Sequence, residues 1–150
     1  MNGMSVSVAK IAELLDLKNY TKDMDLKKQM IHSADVNRPA LQLCGYFDHF
    51  EQSRCQIIGN VEDSYIKLLS EEEQKERYSE FMKYDIPCII FCRDIEPDHT
   101  LIQIGQENNV PILGTSRCTS EFMAELINTL SEQLAPCITV HGVLVDVYGE

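Results

Sequence analysis

Residues that could do chemistry fall in a few places along this chain. Gly114-Thr-Ser-Arg-Cys-Thr-Ser120 lies between an apolar strand pattern and a long helical one. A loop that runs into a helix N-terminus offers free backbone N–H groups. This one adds the hydroxyls of Thr115, Ser116 and Ser120 and the guanidinium of Arg117. Such a set can hold an anion. The same residues equally suit helix capping by Ser and Thr, with Gly114 closing a strand. The Gly-x-Gly-x-x-Gly and Gly-x4-Gly-Lys-Ser/Thr patterns that make phosphate binding specific do not occur. Arg93-Asp94 follows another apolar run and is a second loop of the kind that leaves the carboxyl end of a strand.

The remaining titratable groups have plainer readings. His32, His49 and His99 lie among polar residues, as surface histidines do. His141 opens a final alternating run and precedes Gly142, where a ligand or another backbone could come close. Position alone favours a structural role for it. The six cysteines include no Cys-x-x-Cys pair. Zinc and thioredoxin-type chemistry therefore lack their signature. Cys88 and Cys92 would share one face of a strand, too far apart to bridge. The cysteines read as reduced core thiols. Glu71, Glu72 and Glu73 could be taken for a metal site. Consecutive helix positions point in different directions, however, and acids suit the positive end of a helix dipole. No nucleophile elbow, zincin motif, EF-hand loop or kinase signature occurs.

These residues need elements to position them. Ser7 is a plausible N-cap for a helix with Ile11, Leu14 and Leu15 on its apolar stripe. Residues 16–29 are polar and aperiodic, which predicts a loop or short turns, and Met30–Ser33 predicts a short strand. Around Pro39 the pattern fits a helical turn or a strand end. Gln56-Ile-Ile-Gly59 predicts a buried strand closed by glycine. Asn60, with Asp63 three residues on, predicts a helix over Val61–Leu69. Ser70-Glu-Glu-Glu73 is a capping box for a second helix to about Lys83. Ile86–Cys92 and Val110–Gly114 are buried strand patterns, each followed by a helical one, at Asp98–Asn108 and Ser120–Leu134. Strands alternating with helices predict an α/β fold: a three-layer parallel or mixed sheet with helices on both faces.

Size and composition set the outer bounds. A chain of 150 residues reads as one domain that buries roughly 68–70% of its unfolded surface. The net charge of -11 and scattered Lys and Arg exclude nucleic acid and anionic membrane surfaces as expected partners. No window reaches the length of a membrane span, and Met1–Ser5 carries no secretory signal. The last run, His141–Glu150, alternates as a strand but has no covering helix after it, so it reads as the start of a further domain.

Four segments together carry a resemblance. They are Asn37–Phe47 (NRPALQLCGYF), Gln56–Tyr65 (QIIGNVEDSY), the helix ending at Leu134-Ala-Pro136, and His141–Gly149 (HGVLVDVYG). In this order and spacing the chain resembles the N-terminal domain of bacterial HPr kinase/phosphorylase, from about Val6 onwards. The resemblance implies a domain over residues 1–135 similar to the Mur ligase N-terminal domain. Residues 136–150 would be a linker and first strand leading to a C-terminal P-loop kinase domain. It implies a cytoplasmic parent enzyme that uses ATP and Mg²⁺ to phosphorylate a serine of the carrier protein HPr. That enzyme also removes the phosphate by phosphorolysis, in carbon catabolite repression, and works as a hexamer. His141 would be a catalytic residue of that parent only. The chain by itself is expected to hold no cofactor and to be inactive, as a regulatory or assembly domain. The alternative is a stand-alone α/β domain binding a small anion at Gly114–Ser120. Asp94 departs from the family, where glycine is common after the arginine, which weakens the expectation that this loop keeps the family shape.

Overall fold

The computed structural model describes residues 4–136. The readings of His141–Gly149 as a strand and of His141 as a catalytic residue, together with Cys137 and the linker beyond it, lie outside those residues. The centre is a five-stranded sheet of β2 (Lys18–Asn19), β4 (Val36–Asn37), β5 (Cys55–Ile58), β6 (Ile89–Phe91) and β7 (Ile112–Gly114), in the order β2-β7-β6-β5-β4. Strands β4 to β7 are parallel, with Gln56 opposite Ile89 and Ile89 opposite Ile112, and β2 is antiparallel on β7. A separate antiparallel pair joins β1 (Val6–Ser7) to β3 (Met30–Ile31).

Strand alternation divides the core in two. Cys55, Ile57, Cys88, Ile90, Cys92 and Leu113 point to one face. There they meet α1 (Val8–Leu15) and α6 (Thr119–Leu134) through Val8, Ile11, Leu15, Phe122, Leu126 and Leu130. Ile58, Ile89, Phe91 and Ile112 point to the other face. It is covered by α2 (Ala40–Leu43), α3 (Asn60–Lys67), α4 (Glu71–Met82) and α5 (His99–Glu107), through Leu43, Ile66, Phe81, Met82, Leu101 and Ile104. The helices between parallel strands thus share one face, and the helices outside them share the other. This is the expected three-layer α/β arrangement with a mixed sheet. No helix among the described residues is long and apolar enough to cross a membrane.

Local expectations and structure differ in a few places, each for a physical reason. The buried stripe of α1 is Val8, Ile11 and Leu15, while Leu14 is exposed. Within residues 16–29 the structure has the edge strand β2 and a 3₁₀ turn at Leu26–Lys28. The segment around Pro39 is both alternatives at once: β4 ends at Asn37 and α2 begins at Ala40. Helix α3 starts one residue earlier than its pattern suggests, with Gly59 at the cap and Glu62, not Asp63, as the capping acid. The box at Ser70 forms as read: Ser70 Oγ accepts from Glu73 N–H at 3.1 Å, and Glu73 Oε1 accepts from Ser70 N–H at 3.2 Å.

Candidate functional site

The loop from Gly114 to Ser120 is built around contacts within the fold. Arg117 Nη1 donates to the carbonyl of Leu15 at 2.8 Å and to Thr115 Oγ1 at 3.2 Å, and its Nε pairs with Glu125 at 2.8 Å. The guanidinium therefore sits at the C-terminal end of α1, where a cation is favoured, and ties that helix to α6. Of the four residues read as anion ligands, Thr115 and Arg117 are brought together, but by each other. Ser116 and Ser120 face solvent. Gly114 is bare because Tyr20 lies over it: a Cβ there would come 2.8 Å from the Tyr20 ring. Ser and Thr side chains do not cap α6 either. Its cap residue is Cys118, which makes no side-chain bond to the helix.

A denser polar assembly lies one step along the carboxyl edge of the sheet. Arg38 follows β4, Gly59 follows β5, Cys92 follows β6, and Thr119 opens α6. Glu62 of α3 is 2% exposed and accepts from Arg38 Nε at 3.0 Å, Arg38 Nη2 at 2.8 Å and Gly59 N–H at 2.8 Å. The two-pronged geometry and the third donor offset the cost of burying the carboxylate. Gly59 has no room for a side chain: a Cβ would fall 2.5 Å from Thr119 Oγ1 and 3.1 Å from Arg38 Nη2. Thr119 Oγ1 is wholly buried. Its polar neighbour is the Cys92 thiol. Burial pushes that thiol up to about 11, against smaller lowering effects of Thr119, Arg38 and Arg93.

Beside this lies a row of amides. Asn37 Nδ2 donates to Gln56 Oε1 at 2.7 Å and to Gln42 Oε1 at 3.1 Å, and Gln56 Nε2 donates to the carbonyl of Arg54 at 2.7 Å. Arg93 and Asp94 form the next turn with φ of 61° and 57°. Their N–H groups donate to the carbonyls of Arg117 and Thr115 at 2.9 and 3.0 Å. The left-handed backbone explains why glycine suits position 94, and aspartate is among the few side chains that tolerate it.

Other candidates take the places expected of them, with two exceptions. His32, His49 and His99 are exposed. Cys55, Cys88 and Cys92 are buried and reduced, with Cys88 and Cys92 on the same face of the sheet. Contact with Cys55, then burial, pushes the Cys88 thiol well up. Cys44 departs from the core reading: it is exposed, and Cys118 is half-buried. The Tyr65 hydroxyl is raised chiefly by its hydrogen bond with Cys44. No group of three or more His, Cys, Asp or Glu side chains among the described residues could hold a metal ion.

Arg38, Gly59, Glu62 and Thr119 have no signature in the sequence, because ion pairs and absent side chains carry no motif. Three of the four nevertheless fall in the segments Asn37–Phe47 and Gln56–Tyr65, which carried the family resemblance.

Set beside known proteins, residues 6–130 match the family described as HPr Serine kinase N terminus. The HPr kinase/phosphorylase of Lachnoclostridium phytofermentans is 45% identical over 146 residues, covering 97% of this chain and 47% of that protein. The one from Alkaliphilus metalliredigens is 38% identical, with 97% and 47% covered. That from Caldanaerobacter subterraneus is 40% identical, with 91% and 48% covered. The chain thus spans about half the length of the curated relatives it matches. Among solved structures it resembles in fold the CBS and DRTGG domains of the regulatory region of Clostridium perfringens pyrophosphatase. The TM-score is 0.52 at 16% identity, over 81% of this chain and 45% of that one. An α/β domain with this sheet and this match over 6–130 belongs to the HPr serine kinase N-terminal family.

Proposed function

We propose that this chain is the regulatory or assembly domain of an HPr kinase/phosphorylase, with residues 1–135 as the domain and 136–150 leading towards a kinase half. The observation that carries this reading is the match over residues 6–130, joined to relatives named HPr kinase/phosphorylase of which the chain spans about half. The whole enzyme would act on HPr in the cytoplasm, with ATP and Mg²⁺ held by its other half, and would assemble as a hexamer. His141 would then belong to a catalytic site completed beyond residue 150. Phosphoryl transfer depends on positioning and charge neutralisation by a phosphate-binding loop, its lysine and a metal. No Gly-x4-Gly-Lys-Ser/Thr loop occurs in these 150 residues, so the chain alone is expected to leave HPr unphosphorylated.

The test is a chimera in which this chain replaces the matching half of the Lachnoclostridium phytofermentans enzyme. Native mass and ATP-dependent phosphorylation of HPr in the chimera are the expected result. A folded chimera that is monomeric and unregulated would overturn the assembly role, and phosphorylation of HPr by the 150-residue chain alone would overturn the division of labour.

A further inference from the structure

We infer that the outer face of α2 and α3 docks a partner segment that is apolar along one side and basic on its flank. The four most exposed large apolar side chains among the described residues are Leu68, Val61, Leu41 and Tyr46, at 83%, 65%, 60% and 50%. Exposed apolar residues scattered singly are ordinary, but these are gathered on one surface. Val61, Tyr65 and Leu68 recur at helical spacing and share one side of α3, whereas Glu62 and Ile66 are its buried side. Tyr65 is half-buried between the two, and Val61 and Leu68 belong to neither core cluster. Leu41 lies on α2, which packs against both α3 and α4. The end of α2 continues the surface: Cys44 hydrogen-bonds with the Tyr65 hydroxyl, and Tyr46 follows two residues later.

The charge beside this face says what covers it. Gly45 rests against α4, where a Cβ would come 2.9 Å from Arg77 Nη1. Along that helix Glu71, Glu72, Glu73 and Glu76 are exposed, against Lys75 and the half-buried Arg77. Glu73 closes the Ser70 box, whereas Glu72 and Glu76, one turn apart, pair with no cation among the described residues. On α3 the Lys67 ammonium is taken up by Asp63 at 2.8 Å. The apolar face is therefore bordered by uncompensated negative charge. A second copy of this chain would bring a net charge of -11 to that border, and like charges set against each other across an interface are costly. An amphipathic helix with apolar side chains at i, i+3 or i+4 and i+7 fits the α2–α3 surface, and Lys or Arg on its flank meets Glu72 and Glu76. This partner is separate from the assembly role proposed above.

The test is a titration of the 150-residue chain with a synthetic helix that carries leucines along one side and lysines on its flank, following amide resonances. Saturable shifts at Leu41, Val61, Ser64 and Leu68 are expected. Leu68→Ser changes a side chain that the core does not use and should weaken binding about tenfold, with an unchanged circular dichroism spectrum. Glu72→Gln combined with Glu76→Gln should weaken it about three- to tenfold at low salt and flatten its salt dependence. Ile127→Ser, at an exposed apolar position on α6, should leave the affinity within about twofold. The same helix with glutamates in place of the lysines should bind at least about tenfold more weakly. No saturable shift, or equal binding of the lysine and glutamate helices, overturns the inference. A mass that rises with concentration and falls in Leu68→Ser overturns it in favour of a second copy. Loss of helix binding in the chimera overturns it in favour of the enzyme's other half. Failure here leaves the assembly role to the chimera, which reads mass and HPr phosphorylation separately.

Discussion

Gly59 and Glu62 set what can be changed at the carboxyl edge. Gly59→Ala would drive a methyl into Thr119 and Arg38, and overpacking of this kind costs about 1–3 kcal/mol. Urea denaturation of the variant should show that loss. Arg38→Met would leave the Glu62 carboxylate, 2% exposed, without its counter-charge. The expected loss is about 2–3 kcal/mol, below the ~3–5 of a fully enclosed pair because Arg38 reaches solvent. An unchanged midpoint would mean that Glu62 is solvated as well as buried. The Cys92 thiol gives a pH signature. Its value in the folded state, about 11, lies above the ordinary thiol value of 9.0, so the folded chain holds that proton more tightly than the unfolded one. The associated stability is intact below pH 9 and falls as pH rises towards 11. Cys88 is shifted upward too and adds to the same decline, and Tyr78, raised by burial from an ordinary value of 10.0, adds to it only above pH 10. Urea midpoints at pH 8 and pH 10.5 should differ, and by less in Cys92→Ala. At this scale the sequence was readable where a residue type implies its surroundings, as with the surface histidines and the apolar setting of Cys88 and Cys92. It was not readable for Arg117 and Thr119, whose partners are Leu15, Glu125 and Gly59, between 8 and 102 residues away along the chain. A loop rich in hydroxyls looks the same whether it faces an anion or its own scaffold.

Secondary elements were legible in proportion to their apolar periodicity. Strands β5, β6 and β7 are buried throughout and stand out as short apolar runs, and α6 repeats Phe122, Leu126 and Leu130 on one side. The edge strand β2 is Lys18–Asn19, exposed and half-buried, and it pairs with β7 only because β7 would otherwise be an open edge. Nothing in a polar dipeptide announces that. The start of α3 was displaced by one residue because Asn60 is a favoured cap type, while here the cap is a glycine whose N–H takes the Glu62 carboxylate. Helix α4 follows local rules closely, so its ends can be tested locally. Ser70→Ala removes the acceptor for Glu73 N–H and should cost about 1 kcal/mol. The same change at Asn60 should cost little, since Asn60 does not cap α3. Thermal unfolding of the two variants side by side distinguishes them.

For the molecule as a whole, one sheet shared by two apolar clusters makes unfolding cooperative. Phe122 on the α1–α6 side and Phe81 on the α4 side are both 0% exposed. Either one replaced by Ala should lower stability by about 3–5 kcal/mol. In each case far-UV circular dichroism and tyrosine fluorescence should follow one transition, because neither face survives without the strands between them. Separate transitions would mean that the two layers melt independently. The order of the sheet has a further consequence, for synthesis. Strands β4, β5, β6 and β7 lie side by side in the order in which they are made, so each can dock on its predecessor as it leaves the ribosome. The amino-terminal end has no such schedule. β1 can close on β3 at once, but β2 waits for β7, and the apolar stripe of α1 waits for α6, which is fastened by a bond from Arg117 to Leu15, 102 residues apart. At roughly 5–20 residues per second this delay is on the order of 5–20 s. For that time Ile11 and Leu15 are covered only in part, by Leu17, Leu26 and the strand side chains of their cluster, until Phe122, Leu126 and Leu130 complete it.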